Sequence, residues 1–474
     1  MIIVTPQQMK EIERIAETDF GLTSAILIER AAAAVLEVLE QDFENPQALK
    51  IFFLAGAGNN GKDALKLAKM LGMKVNKYPI EKCEVVVDGM FGTGLNRPIS
   101  DVDAALINMV NHSGLPVYAI DIPSGVDGLT GNVRGVAIKA TKTITFFGAK
   151  PGILFGDGKD CAGGITVHDL GIPMSEKIRA LITLQQANLD NNIFSRKTNS
   201  HKGSYGRVLC IAGSNGMRGA PALCAMGAFA AGAGLVYVAT TERVWNTVSL
   251  LVPSAIGLMM EETEKGTISE KSVKELLDAA KNVDVIIVGP GMVNSKDTFK
   301  IVKKLLKSVD TPMILDADAL NAIEKKDLTR EVIITPHLVE LERLSEVSKQ
   351  KITEDRLTFV RDFSKTTQCV TLLKGAGTII SSPRGETAIN TNGNPGMAVA
   401  GSGDVLSGMI AALVAQGLPL YNAALGGAFL HGLAGDLAAQ EQGMLSLLPI
   451  DIVKNVSKAS LILKERMPRR NGVK

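Results

Sequence analysis

The sequence predicts an α/β protein of two doubly wound domains, on three grounds. At 474 residues the chain is too long for one ordinary core. Apolar runs of strand length alternate with stretches of helical period, the pattern of largely parallel sheets covered by helices. The runs end repeatedly in glycine turns or carboxylates, at the sheet edge where doubly wound folds hold ligands.

Taken in order, residues 5–40 read as helices, with Thr5 and Pro6 opening one and an Ala/Leu/Val pattern from Ala25 to Glu40 continuing. Leu49 to Leu65, LKIFFLAGAGNNGKDAL, passes from an apolar strand through glycines into a helix. Gly56, Gly58 and Gly61 spell GxGxxG, but the next acidic residue at the required distance, Glu81, precedes the following strand instead of ending it. GxxxxGKS is absent, so neither a dinucleotide fingerprint nor a P-loop is specified. Cys83 to Ser100 forms a second strand ending in Asp88 and a glycine loop, and Leu115 to Gly131 a third ending in Asp121 and Pro-Ser-Gly. Asn59, Asn60, Asp88, Asp121 and Ser124 thereby reach one sheet edge. Each alone is a turn or cap former; in succession they are oxygen ligands suited to a hard cation. Apolar segments at Thr143 to Phe147 and Ile165 to Val167 complete this domain.

A polar, weakly periodic stretch between Pro173 and Ser204 marks a boundary, giving domains at 1–185 and 195–474. Gly206 to Pro221 opens the second with its own strand and glycine turn. Strand-like runs follow at 235–240, 284–288, 312–316, 332–335, 369–373 and 378–380, with helical stretches between most of them. The domain converges on Asn392 to Gly408, NGNPGMAVAGSGDVLSG. Apolar residues from Val405 onward recur about every four positions, so a helix starts near Asp404. Glycines at a helix start let a polyanion approach unpaired N–H groups and the positive dipole end. Asp404 is then either an N-cap or a base beside the anion, and Asn394-Pro395-Gly396 adds a second tight turn that a cap does not require.

Composition narrows the partners. Hydrophobic content of 46% with 21% charged residues is that of a folded chain, while 4% aromatics and a net charge of +2 argue against a nucleic-acid partner. Five scattered cysteines without a CxxC pair indicate neither a disulfide framework nor zinc, and fit a reducing cytoplasm. The N-terminus lacks a basic region followed by an apolar core, so no secretory signal is expected. The uncharged stretches Gly219 to Thr241 and Val405 to Gly435 read as buried helices around a sheet, not membrane spans.

HKGSYGRV (His201 to Val208), GPG (Gly289 to Gly291), DADAL (Asp316 to Leu320), TPHLVELERL (Thr335 to Leu344), LKGAGT (Leu373 to Thr378) and GNPGMAVAGSGD together carry a resemblance. The second domain resembles the ADP/ATP-dependent NAD(P)H-hydrate dehydratases of the ribokinase-like superfamily. The first domain, through NNGKD (Asn59 to Asp63), VVDGMFGTGLNRP (Val86 to Pro98) and DIPSGVDGLTG (Asp121 to Gly131), is similar to the Rossmann-like NAD(P)H-hydrate epimerase module fused in front of that dehydratase in many microbes. The family reads NNGGDG, and here Lys62 and Ala64 replace glycines, putting side chains where backbone would face a phosphate. Only 24 residues, Ala64 to Val87, separate the NNGKD turn from Asp88, fewer than in the family, so one strand–helix unit is expected to be shortened or missing.

The resemblance implies roles. Asp404 takes the proton of the C6 hydroxyl of the hydrate, and the N–H groups around Gly401, Ser402 and Gly403 hold the transferred anion. Lys374, Gly375, Ala376, Gly377 and Thr378 lie along an adenine nucleotide, ADP or ATP with Mg2+, while Ala220, Gly291 and His337 meet the hydrate. Asp316 and Asp318 either position magnesium or cap a helix; His201 and Lys202 match the family without a mechanism. In the first domain the hydrate's phosphates and ribose fall on Asn59, Asn60, Gly61, Lys62 and Asp63 and on Gly92, Thr93, Gly94, Leu95, Asn96, Arg97 and Pro98, with Asp121 near the reacting ring. Asn60, Asp88 and Ser124 would hold K+. The implied activity is repair of hydrated NAD(P)H by epimerisation and nucleotide-dependent dehydration, in a cytoplasmic homo-oligomer. The competing readings are a ribokinase-like small-molecule kinase releasing a stable phosphate ester, and a first domain that binds without catalysing.

Overall fold

Thr5 starts the first helix because its hydroxyl accepts from the Gln8 N–H at 3.2 Å while the Gln8 side chain accepts from the Thr5 N–H at 2.8 Å. That helix, α1 (Pro6–Phe20), and α2 (Ser24–Asp42) bury Ile12, Ile15, Val35 and Leu39. The computed structural model describes residues 1–95, 97–189, 193 and 196–465. The chain forms two units, one of Met1–Gln186 with Thr353–Arg356 and a second made of the remainder.

In the first unit β1 (Ile2–Ile3) pairs with β7 (Leu184–Gln186) as a short antiparallel ribbon. The main sheet runs β2 (Ile51–Ala55), β3 (Val85–Gly89), β4 (Val117–Ile120), β5 (Lys142–Phe146) and β6 (Gly164–His168), all parallel and in chain order. Strand alternation sends Val85, Val87, Tyr118 and Ile120 to one face, against α1, α2 and α3 (Asn59–Met70). Val86 and Val117 go to the other, against α4 (Asp101–Ser113).

This layout has an unusual consequence. The connections β2–α3–β3 and β3–α4–β4 step the same way across the sheet, yet α3 and α4 lie on opposite faces. The two crossovers are therefore of opposite hand, and one is left-handed, an arrangement found in only about 2% of cases. The short α3 connection contains no further strand, as the spacing before Asp88 predicts. Without that strand β2 is left at the sheet edge, and the connecting loop covers it. On that edge the Asn76 side chain accepts the Phe53 N–H at 3.1 Å, while the Lys50–Glu84 bonds of 2.9 and 2.8 Å extend the β2–β3 ladder on the other side. The Asn76 bond occupies one of the edge donors a foreign strand would need.

The second unit's sheet has the order β16-β15-β14-β13-β12-β11-β8-β9-β10. Its parallel part comprises β8 (Arg207–Ile211), β9 (Leu235–Thr241), β10 (Ile256–Met260), β11 (Val285–Val288), β12 (Met313–Leu315), β13 (Val332–Ile334) and β14 (Val370–Leu373). The antiparallel strands β15 (Ile379–Ser381) and β16 (Thr387–Ile389) follow. β10 and β16 fall outside the strand-like runs of the sequence: β10 is a half-exposed edge with Gly257 and two methionines, and β16 has only three residues. Among the described residues no helix is long and apolar enough to cross a membrane.

Two alanine- and glycine-rich helices, α5 (Gly219–Ala230) and, later, the helix beginning at Ser402, cross closely over this sheet. A Cβ at Gly227 would stand 2.3 Å from Val405 O, and one at Gly408 2.1 Å from Cys224 O. Gly408→Ala is expected to destabilise the second unit by about 2–3 kcal/mol through forced separation of the helices, measured as a lower urea midpoint of its unfolding transition.

Candidate active sites

In the first unit the carboxyl ends of β2, β3, β4 and β5 surround a cavity of about 710 Å³. Its floor depends on close backbone packing: a Cβ at Gly61 would lie 1.8 Å from Gly56 O, and one at Gly56 1.9 Å from Met90 O. Of the residues expected to meet substrate, Asn59, Asn60, Asp63, Gly92, Thr93, Gly94, Leu95, Arg97 and Asp121 line the cavity. Gly61, Lys62 and Pro98 are not in the lining, and Asn96 lies outside the described residues. The two glycine replacements separate in role. Ala64 is fully buried in the core under α3, so it places no side chain toward a phosphate; Lys62 is exposed with its amine 3.4 Å from Asn59 Oδ1.

Asp121 sits at φ 65°, in the left-handed region that Asp and Asn tolerate better than most residues. Its Oδ1 accepts from Thr145 Oγ1 at 2.9 Å and from the Lys150 ammonium, which is fully buried and also donates to Thr145 Oγ1 at 3.1 Å and Phe146 O at 3.0 Å. Three acceptors saturate the three ammonium protons. Lys150 and Glu13, both in the cavity wall, escaped the sequence reading. Lys150 did leave a trace, as the one charge between Thr143 and Gly156, whereas nothing local distinguishes Glu13 from its helix neighbours.

Asp88 is fully buried behind this wall. Its oxygens accept from Ser124 Oγ at 2.6 Å, Ser124 N at 2.8 Å and Met90 N at 3.2 Å. Asn60 Nδ2 donates to Ile120 O at 2.7 Å and Phe91 O at 3.3 Å, and Ser124 Oγ lies 3.3 Å from the same Phe91 O. Asn60, Asp88 and Ser124 thus share one oxygen-rich knot. Burial lifts the Asp88 carboxyl to about 6 against the pull of its Ser124 and Met90 bonds, and no ion pair to Asp88 occurs among the described residues.

The second unit gathers its groups at the ends of β11 to β14 and at α7 (Ser402–Ala415), taking α6 as Leu338–Ser345. Gly401, at φ 94°, turns the chain into α7. The Gly403 and Asp404 N–H groups have no backbone acceptor among the described residues, which leaves them for an anion. His431, on α8 (Leu420–Gln442), donates from Nε2 to Ser402 O at 3.0 Å; burial holds it neutral, down at about 4. α8 also fixes the preceding turn, since Asp436 accepts from Gly393 N at 2.9 Å and Asn394 Nδ2 at 3.0 Å.

Behind the helix start lies Asp316, 1% exposed. Its Oδ1 accepts from Lys374 Nζ at 2.7 Å and its Oδ2 from Ser407 Oγ at 2.8 Å. A Cβ at Gly403 would lie 3.6 Å from Lys374 Nζ, so the ammonium stands at the anion site. Burial works against the Lys374 charge, but Asp316 and Glu340 outweigh it and hold the amine above its ordinary value. Burial and the Asp316 charge push the Asp404 carboxyl up to about 7, opposed by Lys374. A group poised there suits proton transfer near neutrality.

The other expected residues are placed as follows. His337 is the N-cap of α6, its Nδ1 accepting from Glu340 N at 3.1 Å, with about half its side chain exposed. Lys374 N donates to Pro336 O at 2.8 Å, which ties the Gly375, Ala376, Gly377 and Thr378 loop to the His337 strand end. A Cβ at Gly291 would meet Ala220 Cβ at 3.1 Å, so those two positions adjoin. Asp318 accepts from Val293 N at 2.9 Å, and His201 caps a short turn over 202–205. Ser407 and Glu340 were missed, because a serine inside a helix and a glutamate in its first turn look ordinary until folding sets them beside Asp316 and Lys374.

Fold and sites define a two-module enzyme: an α/β unit with a cavity at its strand ends and a ribokinase-like unit with a glycine-rich helix start beside Lys374 and Asp404. A ribokinase-like superfamily protein from Enterococcus faecalis is 26% identical with a TM-score of 0.52, covering 59% of this chain and 96% of that one. The NAD(P)H-hydrate dehydratase family pattern matches residues 208–458, and that of the YjeF-related protein N-terminus matches 24–80 and 72–152. The two pieces of the latter meet in the shortened α3 connection. The bifunctional NAD(P)H-hydrate repair enzyme of Moorella thermoacetica is 35% identical over 96% of this chain and 95% of its own, and that of Thermofilum pendens 33% identical over 98% and 97%. The chain belongs to the family of bifunctional NAD(P)H-hydrate repair enzymes.

Proposed function

We infer that the chain restores hydrated NAD(P)H, with residues 1–185 interconverting the R and S hydrates and residues 195–474 dehydrating the S hydrate at the expense of ADP or ATP. The observation that carries the second activity is Asp404 at an anion-binding helix start, with Lys374 and Asp316 behind it. Asp404 takes the C6 hydroxyl proton as the hydroxyl attacks the terminal phosphoryl group. Lys374 and the Gly403 and Asp404 N–H groups stabilise the charge on that group. The ring nitrogen lone pair then expels phosphate to give the C6=N1 iminium, and loss of a proton from C5 forms the C5=C6 bond of the dihydropyridine, with AMP or ADP as the other product.

Both Asp316 oxygens are engaged and Asp318 is turned to Val293, so neither suits direct magnesium ligation; the ion belongs on the nucleotide phosphates. In the first unit Asn60, Asp88 and Ser124 fit K+, since a buried carboxylate among neutral oxygens accommodates a large monovalent cation. The cation would fix the strand ends that shape the cavity.

The test supplies purified protein with S hydrate, Mg2+ and either nucleotide, and follows absorbance in the reduced-nicotinamide band. Return of the band is expected; a stable phosphorylated hydrate instead would make the protein a kinase. The dehydration rate is expected to rise with pH through about 7 and then level, because the base acts only when deprotonated and Asp404 loses its proton there. A rate flat from pH 5 to 9 would exclude that assignment.

A further inference from the structure

The cavity of the first unit holds a carboxyl group that its surroundings leave without a partner. Asp63, on the first turns of α3, is 5% exposed, lines the cavity and makes no hydrogen bond or ion pair among the described residues. A buried carboxyl in that state asks for a ligand atom to bond to. A ligand oxygen that accepts a hydrogen bond, such as the ring hydroxyl, meets that need. The neighbours of Asp63 are also acidic. α1 presents Glu13 and Glu17 to the cavity, with Lys10 and Arg14, and Arg97 stands on the glycine loop. Asp121 faces it from the end of β4, with Oδ1 committed to Lys150 and Thr145 and Oδ2 accepting nothing from the described residues. Lys62 precedes Asp63 but its amine reaches toward Asn59.

We propose that Asp63 is the acid that protonates the departing C6 hydroxyl during epimerisation, while Asp121 accepts the proton of the water that arrives on the opposite face. This rests on the epimerase reading given above. The C6–O bond breaks as the nitrogen lone pair forms the C6=N1 iminium bond, and the hydroxyl leaves as water with the Asp63 proton. A solvent water then adds to the other face of C6, its oxygen forming the new C–O bond and its proton passing to Asp121. Each inversion leaves Asp63 ionised and Asp121 protonated; proton exchange with cavity water returns both groups to their starting state, and the opposite epimer runs the same steps backward. An enzyme for two epimers of nearly equal energy needs one protonated and one ionised group at once. Burial, with the charges of Asp121 and Glu13, lifts Asp63 to about 8 against the pull of Lys62, while the Lys150 ammonium is bonded to Asp121.

The test uses the full chain and the R hydrate of NADH in 18O-water without nucleotide, with the epimers separated by chromatography and weighed by mass spectrometry. The wild-type protein is expected to incorporate one solvent oxygen per inversion above the enzyme-free blank, with a rate that falls above about pH 8. Asp63→Asn is expected to lower kcat for inversion at least about 100-fold with KM within about threefold, and to leave dehydration of the S hydrate unchanged. Retained kcat in Asp63→Asn, a loss confined to KM, or inversion without solvent oxygen would each overturn the proposal. Should that variant not fold, the wild-type isotope uptake and alkaline limb decide alone. No inversion by wild-type protein that still dehydrates the S hydrate would instead remove the epimerase reading, and this proposal with it.

Discussion

Asp404→Asn is expected to lower dehydratase kcat about 10³-fold while leaving nucleotide affinity within about threefold. The amide keeps the size and position of the carboxyl but cannot take a proton, whereas the helix start, Lys374 and the Lys374 to Thr378 loop remain in place. Single-turnover assays with titrated nucleotide separate the two quantities, and retained turnover would exclude Asp404 as the essential base. The same variant carries a stability signature of unusual sign. The folded carboxyl is raised from 3.8 to about 7 by burial first and by Asp316 second. Its contribution to stability is therefore fully present below pH about 4 and lost as pH rises through about 7. At pH 8 the wild-type unit carries the cost of a charged, partly buried acid that the amide lacks. Asp404→Asn should accordingly raise the Tm of the second unit at pH 8, the trade of stability for activity expected at a catalytic group.

The second large effect concerns the Asp121–Lys150 pair. Asp121→Asn is expected to abolish interconversion of the hydrates, by about 10³-fold or more, with dehydration of the S hydrate intact. Asparagine tolerates the left-handed backbone at φ 65° and its Oδ1 can still accept from Lys150, so the turn is kept. Because Lys150 loses its counter-charge, unfolding is measured beside activity to separate lost chemistry from lost stability. Lys150→Met has a different consequence. It removes a fully buried cation and leaves Asp121 charged and uncompensated at the cavity wall. Breaking one side of a buried pair costs about 3–5 kcal/mol. The first unit should lose that much by denaturant unfolding, and Asp121→Asn placed on Lys150→Met should recover part of it. If Lys150→Met proves as stable as wild type, the pair is not the structural anchor its burial indicates.

Much of the active chemistry lies where local sequence points. Asp404 follows a glycine turn into an apolar helix, Asp88 and Asp121 end apolar strands, and Lys374 ends another, and each of these is read from neighbours within a few positions. The shortened α3 connection is also visible as a count of residues. Its effect on the sheet is not: two crossovers of opposite hand follow only once α3 and α4 are seen on opposite faces. β10 and β16 escape because an edge strand with glycine and a three-residue strand lack a period long enough to recognise.

By itself, then, the sequence determined the alternation of strands and helices, the glycine turns that open each ligand edge, the acidic residues placed on those edges and the two families joined in one chain. The tertiary structure alone decided which charges face one another. Asp316 meets Lys374 from 58 positions away and Ser407 from 91, and Lys150 reaches Asp121 across 29. Proton affinity in a site is set by burial and by such distant charges, and neither is a property of a residue and its neighbours along the chain. Asp404 was already legible as a base, and the fold added the burial and the Asp316 charge that bring its proton affinity near neutrality. Asp63 became a candidate for proton transfer only when the fold enclosed it with other acids.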